Sequence, residues 1–142
     1  MKIFVTVGTT VFDSMLEAAD NCAAVLKQHQ FTFQTAVSTY KPLHGTNFEF
    51  VDGIDSYYED ADIVITHAGA GSTFRLLELQ KKIVVVPNLE RVDKHQRDLG
   101  HFLEENNYAL IVWKLADMLD ILQSVDNFQP RPYEKDAFFK AE

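Results

Sequence analysis

The sequence is poor in cysteine, in basic residues and in long apolar runs, and each shortage excludes a class of protein. A single cysteine, Cys22, permits no internal disulfide, which favours a reducing compartment. Lys and Arg number 13 against 21 Asp and Glu, and the net charge of −8 argues against nucleic acid as a partner. No run approaches the roughly 20 apolar residues that span a bilayer. We therefore expect a cytoplasmic protein that reaches a membrane only through a partner.

The bulk composition is that of one ordinary globular domain. A chain of 142 residues with 46% hydrophobic residues is long enough for a sizeable core. The opening run Met1–Val5 lacks the length of a signal peptide and predicts a first strand. Cys22 lies in an alanine-rich helical run, which predicts a buried structural thiol. Glu17 and Asp20 in the same run are expected on a solvated helix face.

Apolar strands alternate with helical patterns along most of the chain. Continuous apolar or β-branched runs predict strands at Lys2–Val7, Phe31–Val37, Asn47–Val51, Asp62–Thr66, Ile83–Val86 and Tyr108–Val112. Helical spacing predicts helices at Phe12–Gln28, Ile54–Asp60, Ala70–Gln80, Arg91–Asn106 and Leu115–Leu122. This order predicts an α/β fold, a Rossmann-like parallel sheet with helices on both faces. We expect residues 1–123 to form the domain and residues 124–142 a C-terminal tail.

Three loops are predicted to meet at one edge of that sheet, where ligands of parallel sheets bind. They are Gly8-Thr9-Thr10, the glycine-rich loop His67–Ser72 and the turn Pro87-Asn88. Glycine and alanine in the second loop leave backbone N–H groups open to an anion at a helix start. The same small residues also suit close packing of a helix on a strand. Thr9 and Thr10 can bind phosphate or cap the first helix.

Several polar side chains follow these loops, and each has a structural alternative. His67 is a titratable group at the end of a strand, and binding is favoured over a structural role. His95 and Gln96 suit sugar hydroxyls, but they also fit a solvated first helical turn. Arg75 can reach a phosphate or a carboxylate, or it can pair with Glu78 three residues later.

The motifs of several other enzyme classes do not occur in the sequence. It has no HExxH, CxxC or Walker-type lysine motif and no Gly-x-Ser-x-Gly elbow. We therefore predict neither a metal site nor serine hydrolase chemistry. A flavodoxin-like flavin module is a remote alternative, because Thr6–Thr10 resembles a phosphate loop only vaguely.

Four segments taken together resemble the Alg13 family, within the glycosyltransferase 28 C-terminal-domain group that includes the second half of MurG. The segments are Ile3–Thr10 with Phe12-Asp13, Ala61–Ser72, Ile83–Asn88 and His95-Gln96. They run in matching order from the first strand to about Asp98. Bacterial PssE- and Cps14G-type proteins, which serve polysaccharide assembly on a lipid carrier, are similar.

The resemblance implies the donor-binding half of a GT-B glycosyltransferase divided into two chains. Its substrate would be a UDP-sugar, with no other cofactor and no metal. A membrane-anchored Alg14- or PssD-like subunit would supply the lipid-linked acceptor and the general base, so no catalytic residue is assigned to this chain. The resemblance places Gly69, Ala70, Gly71 and Ser72 around the diphosphate, His95 and Gln96 at the donor sugar, and Gly8, Thr9 and Thr10 at the interdomain cleft. Together with His67, Ala68, Arg75 and Asn88 from the loops and the helix described above, these residues make up the predicted nucleotide-sugar site.

Arg75 departs from the family pattern, because many members carry a ribose-binding glutamate at that place. A carboxylate accepts hydrogen bonds from two ribose hydroxyls, whereas a guanidinium only donates. Either another group binds the ribose or the nucleotide is not uridine, and Arg75 could contact a phosphate or an acidic sugar instead. An alternative function is a non-catalytic subunit that stabilises a partner glycosyltransferase. The tail after Ser124 is expected to dock on the partner through Phe138 and Phe139, or to pack on its own domain.

Overall fold

A computed structural model describes residues 1–90 and 94–135. The strands are β1 (Lys2–Thr6), β2 (Gln30–Gln34), β3 (Thr46–Phe48), β4 (Ile63–His67), β5 (Lys82–Val86) and β6 (Leu110–Ile111). The helices are α1 (Asp13–Val25), α2 (Asp55–Asp60), α3 (Ala70–Glu78), α4 (Lys94–Glu105) and α5 (Met118–Gln123), with short 3-10 turns at Leu115–Asp117 and Val125–Asn127. The predicted start of the fourth helix, residues 91–93, lies outside the described part.

The strands form one parallel sheet in the order β3-β2-β1-β4-β5-β6. All five residues of β4 are buried, as expected for a central parallel strand with helices on both faces. The predicted α/β fold is therefore confirmed. β3 ends at Phe48, earlier than predicted, and Phe50 and Val51 of the predicted strand are exposed beyond the sheet.

Two apolar clusters, one on each face, hold the helices to the sheet. Met15 and Leu16 of α1 and Met118 and Leu122 of α5 pack in one cluster. On the other face, Tyr58 of α2, Leu76 and Leu77 of α3 and Leu103 of α4 form the second. The helical spacing seen in the sequence thus decides which side of each helix is buried.

The order of strands reverses between β1 and β4, which places two glycine-containing loops side by side. Thr6 and Thr66 are paired in register near the carboxyl ends of these strands. The loops that follow begin at Val7 and Ala68, and their first glycines are Gly8 and Gly69. Such a switch point opens a crevice at the edge of an α/β sheet.

The described part of the C-terminal tail packs on its own domain. Val125 is buried, and the Arg131 N–H donates to the Asn107 carbonyl at 2.9 Å. The Tyr133 ring lies 5.4 Å from that of Tyr108 and 6.1 Å from that of Phe74. Phe138 and Phe139, the side chains expected to dock, lie outside the described residues.

Two predictions for α1 have opposite outcomes. Cys22 is buried as predicted, and burial raises the pKa of its thiol to about 11. The prediction that Asp20 is solvated is wrong, because only 1% of the residue is exposed. Its carboxylate accepts hydrogen bonds from the Tyr40 hydroxyl at 2.6 Å and from the N–H groups of Leu43 and His44 at 3.0 and 2.9 Å. Asp20 therefore tethers the crossover loop between β2 and β3.

Candidate functional site

A cleft of about 440 Å³ opens beside the switch point, between α3 and the first turns of α4. The structure brings together the following predicted site residues in its lining: Thr10, His67, Ala68, Gly69, Ala70, His95 and Gln96. They come from loops that are far apart in sequence, and the parallel sheet places them at one edge. The cleft therefore has the location that the sequence predicts for a ligand site.

The cleft also has an apolar wall and one carboxylate that the sequence prediction missed. Phe74, Leu99 and Phe102 form the wall, and Asp98 adds a negative charge. The Phe74 and Phe102 rings lie 6.4 Å apart. In the sequence these apolar residues stand out only by their helical spacing, and that spacing is equally typical of core residues. A wall of this kind beside polar groups is common in small-molecule sites.

The first turn of α3 is open to an anionic ligand. Gly69 precedes the helix in an extended conformation, and no side chain of the described residues caps it. The first N–H groups of a helix lack intrahelical acceptors, and the helix dipole adds positive potential there. A Cβ at Gly71 would meet nothing within 4 Å, so this turn is also sterically accessible. The turn can bind a phosphate group.

Gly8 and Gly69 have a different role, which is to leave room for the His67 ring. A Cβ on Gly8 would lie 2.6 Å from Cε1 of His67, and one on Gly69 would collide with the same imidazole. Gly8 also adopts a φ of +65°, which favours glycine. The sequence is compatible with two roles for the small residues of this region, close packing and ligand access. The structure assigns close packing to Gly69 and open space to Gly71.

His67 is 7% exposed and packs between the two loops. Burial lowers the pKa of its imidazole, against a smaller opposing effect of the Thr6 backbone, so the ring is neutral at pH 7. Within residues 1–90 and 94–135, its Nδ1 has no hydrogen-bond partner. His67 fits a hydrogen-bonding role better than a charged one.

The Gly8-Thr9-Thr10 loop is held by Gln34, a residue that the sequence prediction missed. The Gly8 N–H donates to Gln34 Oε1 at 3.0 Å, and Gln34 Nε2 donates to the Gly8 carbonyl at 2.9 Å. The Gly8 amide therefore has an acceptor within the protein. Thr9 is exposed, and the Thr10 hydroxyl donates to the Val7 carbonyl at 3.0 Å. Within the described part of the chain, no side chain caps α1, so the capping alternative for the threonines is wrong.

Asn88 and Gln96 join the turn after β5 to α4. The Asn88 N–H donates to Gln96 Oε1 at 2.7 Å, and Asn88 Oδ1 accepts from the Glu90 N–H at 3.1 Å. Asn88 is 5% exposed and does not line the cleft. Its position indicates a role in shaping the turn, whereas Gln96 belongs to the cleft itself.

Arg75 and Ser72 lie on the other flank of α3, which faces α2. Arg75 Nη2 lies 2.6 Å from Asp55 Oδ2, and its Nη1 lies 3.9 Å from Glu78 Oε2. The predicted pair with Glu78 is thus present but longer than the pair with Asp55. The hydrogen bond from Arg75 lowers the pKa of Asp55. Burial raises the pKa of the Tyr58 phenol, and the neighbouring Ser72 side chain offsets part of that rise.

Solved structures show what kind of fold this is. The chain is similar to Acinetobacter baumannii MurG, with a TM-score of 0.71 and 20% identity over 90% of this chain and 42% of that one. It is also similar to a solution structure of ALG13, with a TM-score of 0.66 and 19% identity over 98% of this chain and 92% of that one. The fold is therefore the Rossmann-like fold found in GT-B glycosyltransferases.

The family follows from the sequence comparison. Residues 2–140 match the glycosyltransferase family 28 C-terminal domain, and the chain belongs to that family. The match extends beyond the segments on which the resemblance rests. A mouse relative, UDP-N-acetylglucosamine transferase subunit ALG13, is 33% identical over 119 residues, which is 75% of this chain. The chain spans only 10% of that relative's length.

Two further observations concern metals and membranes. Residues 1–90 and 94–135 contain no group of three or more His, Cys, Asp or Glu side chains that could hold a metal ion. Among the described helices, none has the length and apolarity needed to cross a bilayer.

Proposed function

We propose that this chain binds the nucleotide-sugar donor, a UDP-sugar, for a two-component glycosyltransferase. The observation that carries the proposal is the uncapped first turn of α3, which opens beside a cleft with polar side chains and an apolar wall. The family match supports glycosyl transfer, and the mouse relative's name supports a UDP-sugar donor and a multisubunit arrangement. His67, which also lines the cleft, adds a polar side chain at the same place.

The diphosphate of the donor would rest on the N–H groups of Ala70, Gly71 and Ser72. When the bond from the sugar to the diphosphate breaks, negative charge develops on the departing oxygen, and fixed amides with a helix dipole stabilise that charge. The sugar would lie in the cleft near His95 and Gln96. The contribution of this chain to transfer is therefore to hold the donor and to stabilise its leaving group.

The acceptor and the general base belong to a second subunit in this proposal. The described cleft has Asp98 as its only carboxylate, on an exposed turn of α4. We infer a membrane-anchored partner of the Alg14 or PssD type, which would present a lipid-linked acceptor. This chain would be inactive alone and would lie at the inner face of the membrane through that partner.

A charge placed at Gly71 tests the diphosphate site. Gly71→Asp puts a carboxylate into open space at the start of a helix. A negative charge interacts favourably with the helix dipole there, so the substitution should leave folding intact. The same carboxylate would repel a diphosphate. We expect UDP affinity, measured by isothermal titration calorimetry, to fall about tenfold or more.

Asn21→Asp is the matched control, because it makes the same charge change at an exposed position of α1 on the opposite face of the sheet. This variant should bind UDP as the wild type does. Equal affinities of the wild type and Gly71→Asp would contradict the site. Failure of the wild type to bind UDP would favour the stabilising-subunit alternative.

A further inference from the structure

The flank of α3 that faces α2 carries an exposed ion pair beside open space. Arg75 donates to Asp55 Oδ2 from Nη2 at 2.6 Å and from Nε at 3.2 Å. The two side chains are 45% and 44% exposed, so a ligand can reach both. Gly71 lies one turn before Arg75 on the same helix face, and space around it is open. This flank is separate from the cleft between α3 and α4.

A nucleotide sugar extends from its diphosphate in two directions, with the sugar on one side and the nucleoside on the other. A diphosphate at the first turn of α3 would have the cleft on one side and, on the other, the flank of α3 that faces α2. The cleft carries His95, Gln96 and Asp98, whose side chains suit the many hydroxyls of a sugar. The nucleoside is then left with the flank that carries Arg75 and Asp55.

The hydrogen-bonding chemistry of this flank distinguishes the two charged residues. A ribose presents two neighbouring hydroxyls that donate, and a guanidinium has no acceptor with which to receive them. A carboxylate has about four acceptor positions, and the contacts from Arg75 leave part of this capacity available. The Arg75 hydrogen bond also lowers the pKa of Asp55, which keeps the carboxylate ionised as an acceptor.

We propose that Asp55 accepts hydrogen bonds from the ribose hydroxyls of the donor nucleotide, and that Arg75 is the positioning residue that holds this carboxylate beside α3. The inference rests on the proposed function and adds the nucleoside subsite to it. The ligand class is thereby a ribonucleotide rather than a deoxyribonucleotide.

The test compares UDP with 2′-deoxy-UDP by isothermal titration calorimetry on the full chain. We expect the wild type to bind UDP about tenfold more tightly than 2′-deoxy-UDP, which is the difference that one hydrogen bond to a charged group would make. Asp55→Ala should weaken UDP about tenfold more than it weakens 2′-deoxy-UDP, which keeps its 3′-hydroxyl, so the preference for UDP disappears. Arg75→Lys keeps the charge but loses the two-pronged contact, and it should reduce the preference.

Asp60→Ala is the matched control, because Asp60 also lies on α2 and forms an exposed ion pair, with Lys2 at 3.2 Å. It should keep the wild-type preference. A preference unchanged in Asp55→Ala, or absent from a wild type that binds UDP, overturns the inference and leaves the proposed function standing. Equal loss of both nucleotides in Asp55→Ala would indicate a structural role and overturns it too. A wild type that binds neither nucleotide overturns both proposals.

Discussion

At the scale of single residues, Gly69 and Gly71 serve different purposes although one alanine separates them. Gly69 lies against the His67 ring, where any Cβ would collide, whereas Gly71 faces open space. Neither has a positive φ among the described backbone angles, so the difference is one of neighbours rather than of backbone strain. Gly69 is needed for close packing, whereas Gly71 leaves open the space in which we propose that the ligand binds.

Paired alanine substitutions separate these purposes. Gly69→Ala should lower the free energy of unfolding by about 1–3 kcal/mol, because the added methyl group displaces a buried ring. Gly71→Ala should leave it unchanged or raise it by up to about 1 kcal/mol, because alanine favours the helix. Urea unfolding followed by circular dichroism measures both values. Equal destabilisation by the two substitutions would contradict the assignment.

At the scale of elements, the crossover loop between β2 and β3 depends on one carboxylate of α1. Parallel strands need a crossover connection, and here it contains no helix in residues 35–45. Asp20 compensates by accepting from the Tyr40 hydroxyl and from the backbone of Leu43 and His44. The same bond to Asp20 raises the pKa of Tyr40 to about 12.

Removal of this tether should loosen the loop. We expect Asp20→Ala to lower the free energy of unfolding by about 1–3 kcal/mol, because the part-buried hydrogen bonds from Tyr40, Leu43 and His44 lose their acceptor. Glu17→Gln, at an exposed position of the same helix, should change it by less than about 0.5 kcal/mol. Amide hydrogen exchange at Leu43 and His44 should accelerate only in the Asp20 variant.

The tether also predicts a pH dependence. Burial alone would raise the pKa of Asp20, but hydrogen bonds from Tyr40, Leu43 and His44 outweigh it and lower the pKa below 3.8. The contribution of Asp20 is therefore complete above about pH 4 and is lost as pH falls through the folded-state pKa. In Asp20→Asn, the free energy of unfolding should fall less steeply as the pH is lowered below about 4. If the slope of this free energy against pH is the same as in the wild type, the tether is contradicted.

At the scale of the whole molecule, the chain is a Rossmann-like domain with a candidate ligand site at the edge of its sheet. It matches 42% of the MurG chain and 10% of the mouse relative. The proposed donor cleft is formed by residues of this domain, whereas the proposed acceptor side is not. We infer that complete activity requires the second subunit.

A transfer assay tests that division. Radiolabelled UDP-N-acetylglucosamine should give lipid-extractable label only when the chain is combined with membranes from its source organism that lack the endogenous chain. The chain alone and the membranes alone should give no lipid-extractable label. The Gly71→Asp variant should not restore transfer to these membranes. Transfer by the chain alone would contradict the two-component arrangement. No transfer with membranes would rule out this sugar or this partner.

Much of the fold could be predicted from the sequence because its signals are local. β-branched runs such as Ile83–Val86 and the helical spacing of Ala70–Gln80 predict elements that the structure confirms. The burial of Asp20 could not be predicted, since it depends on contacts with loop residues 20 to 24 positions later in the chain. The partner of Arg75 was missed for a similar reason, because Asp55 is brought to it by the packing of α2 beside α3.

Motifs and periodicity depend on neighbouring residues, so they predict the family, the α/β order and the loops that line one edge. The surroundings of each loop residue, by contrast, arise only when the chain is folded. It set Gly69 against His67, committed the Gly8 amide to Gln34, left Gly71 open and turned Arg75 toward Asp55. These outcomes depend on contacts between strands and helices far apart in the chain, which no local pattern specifies.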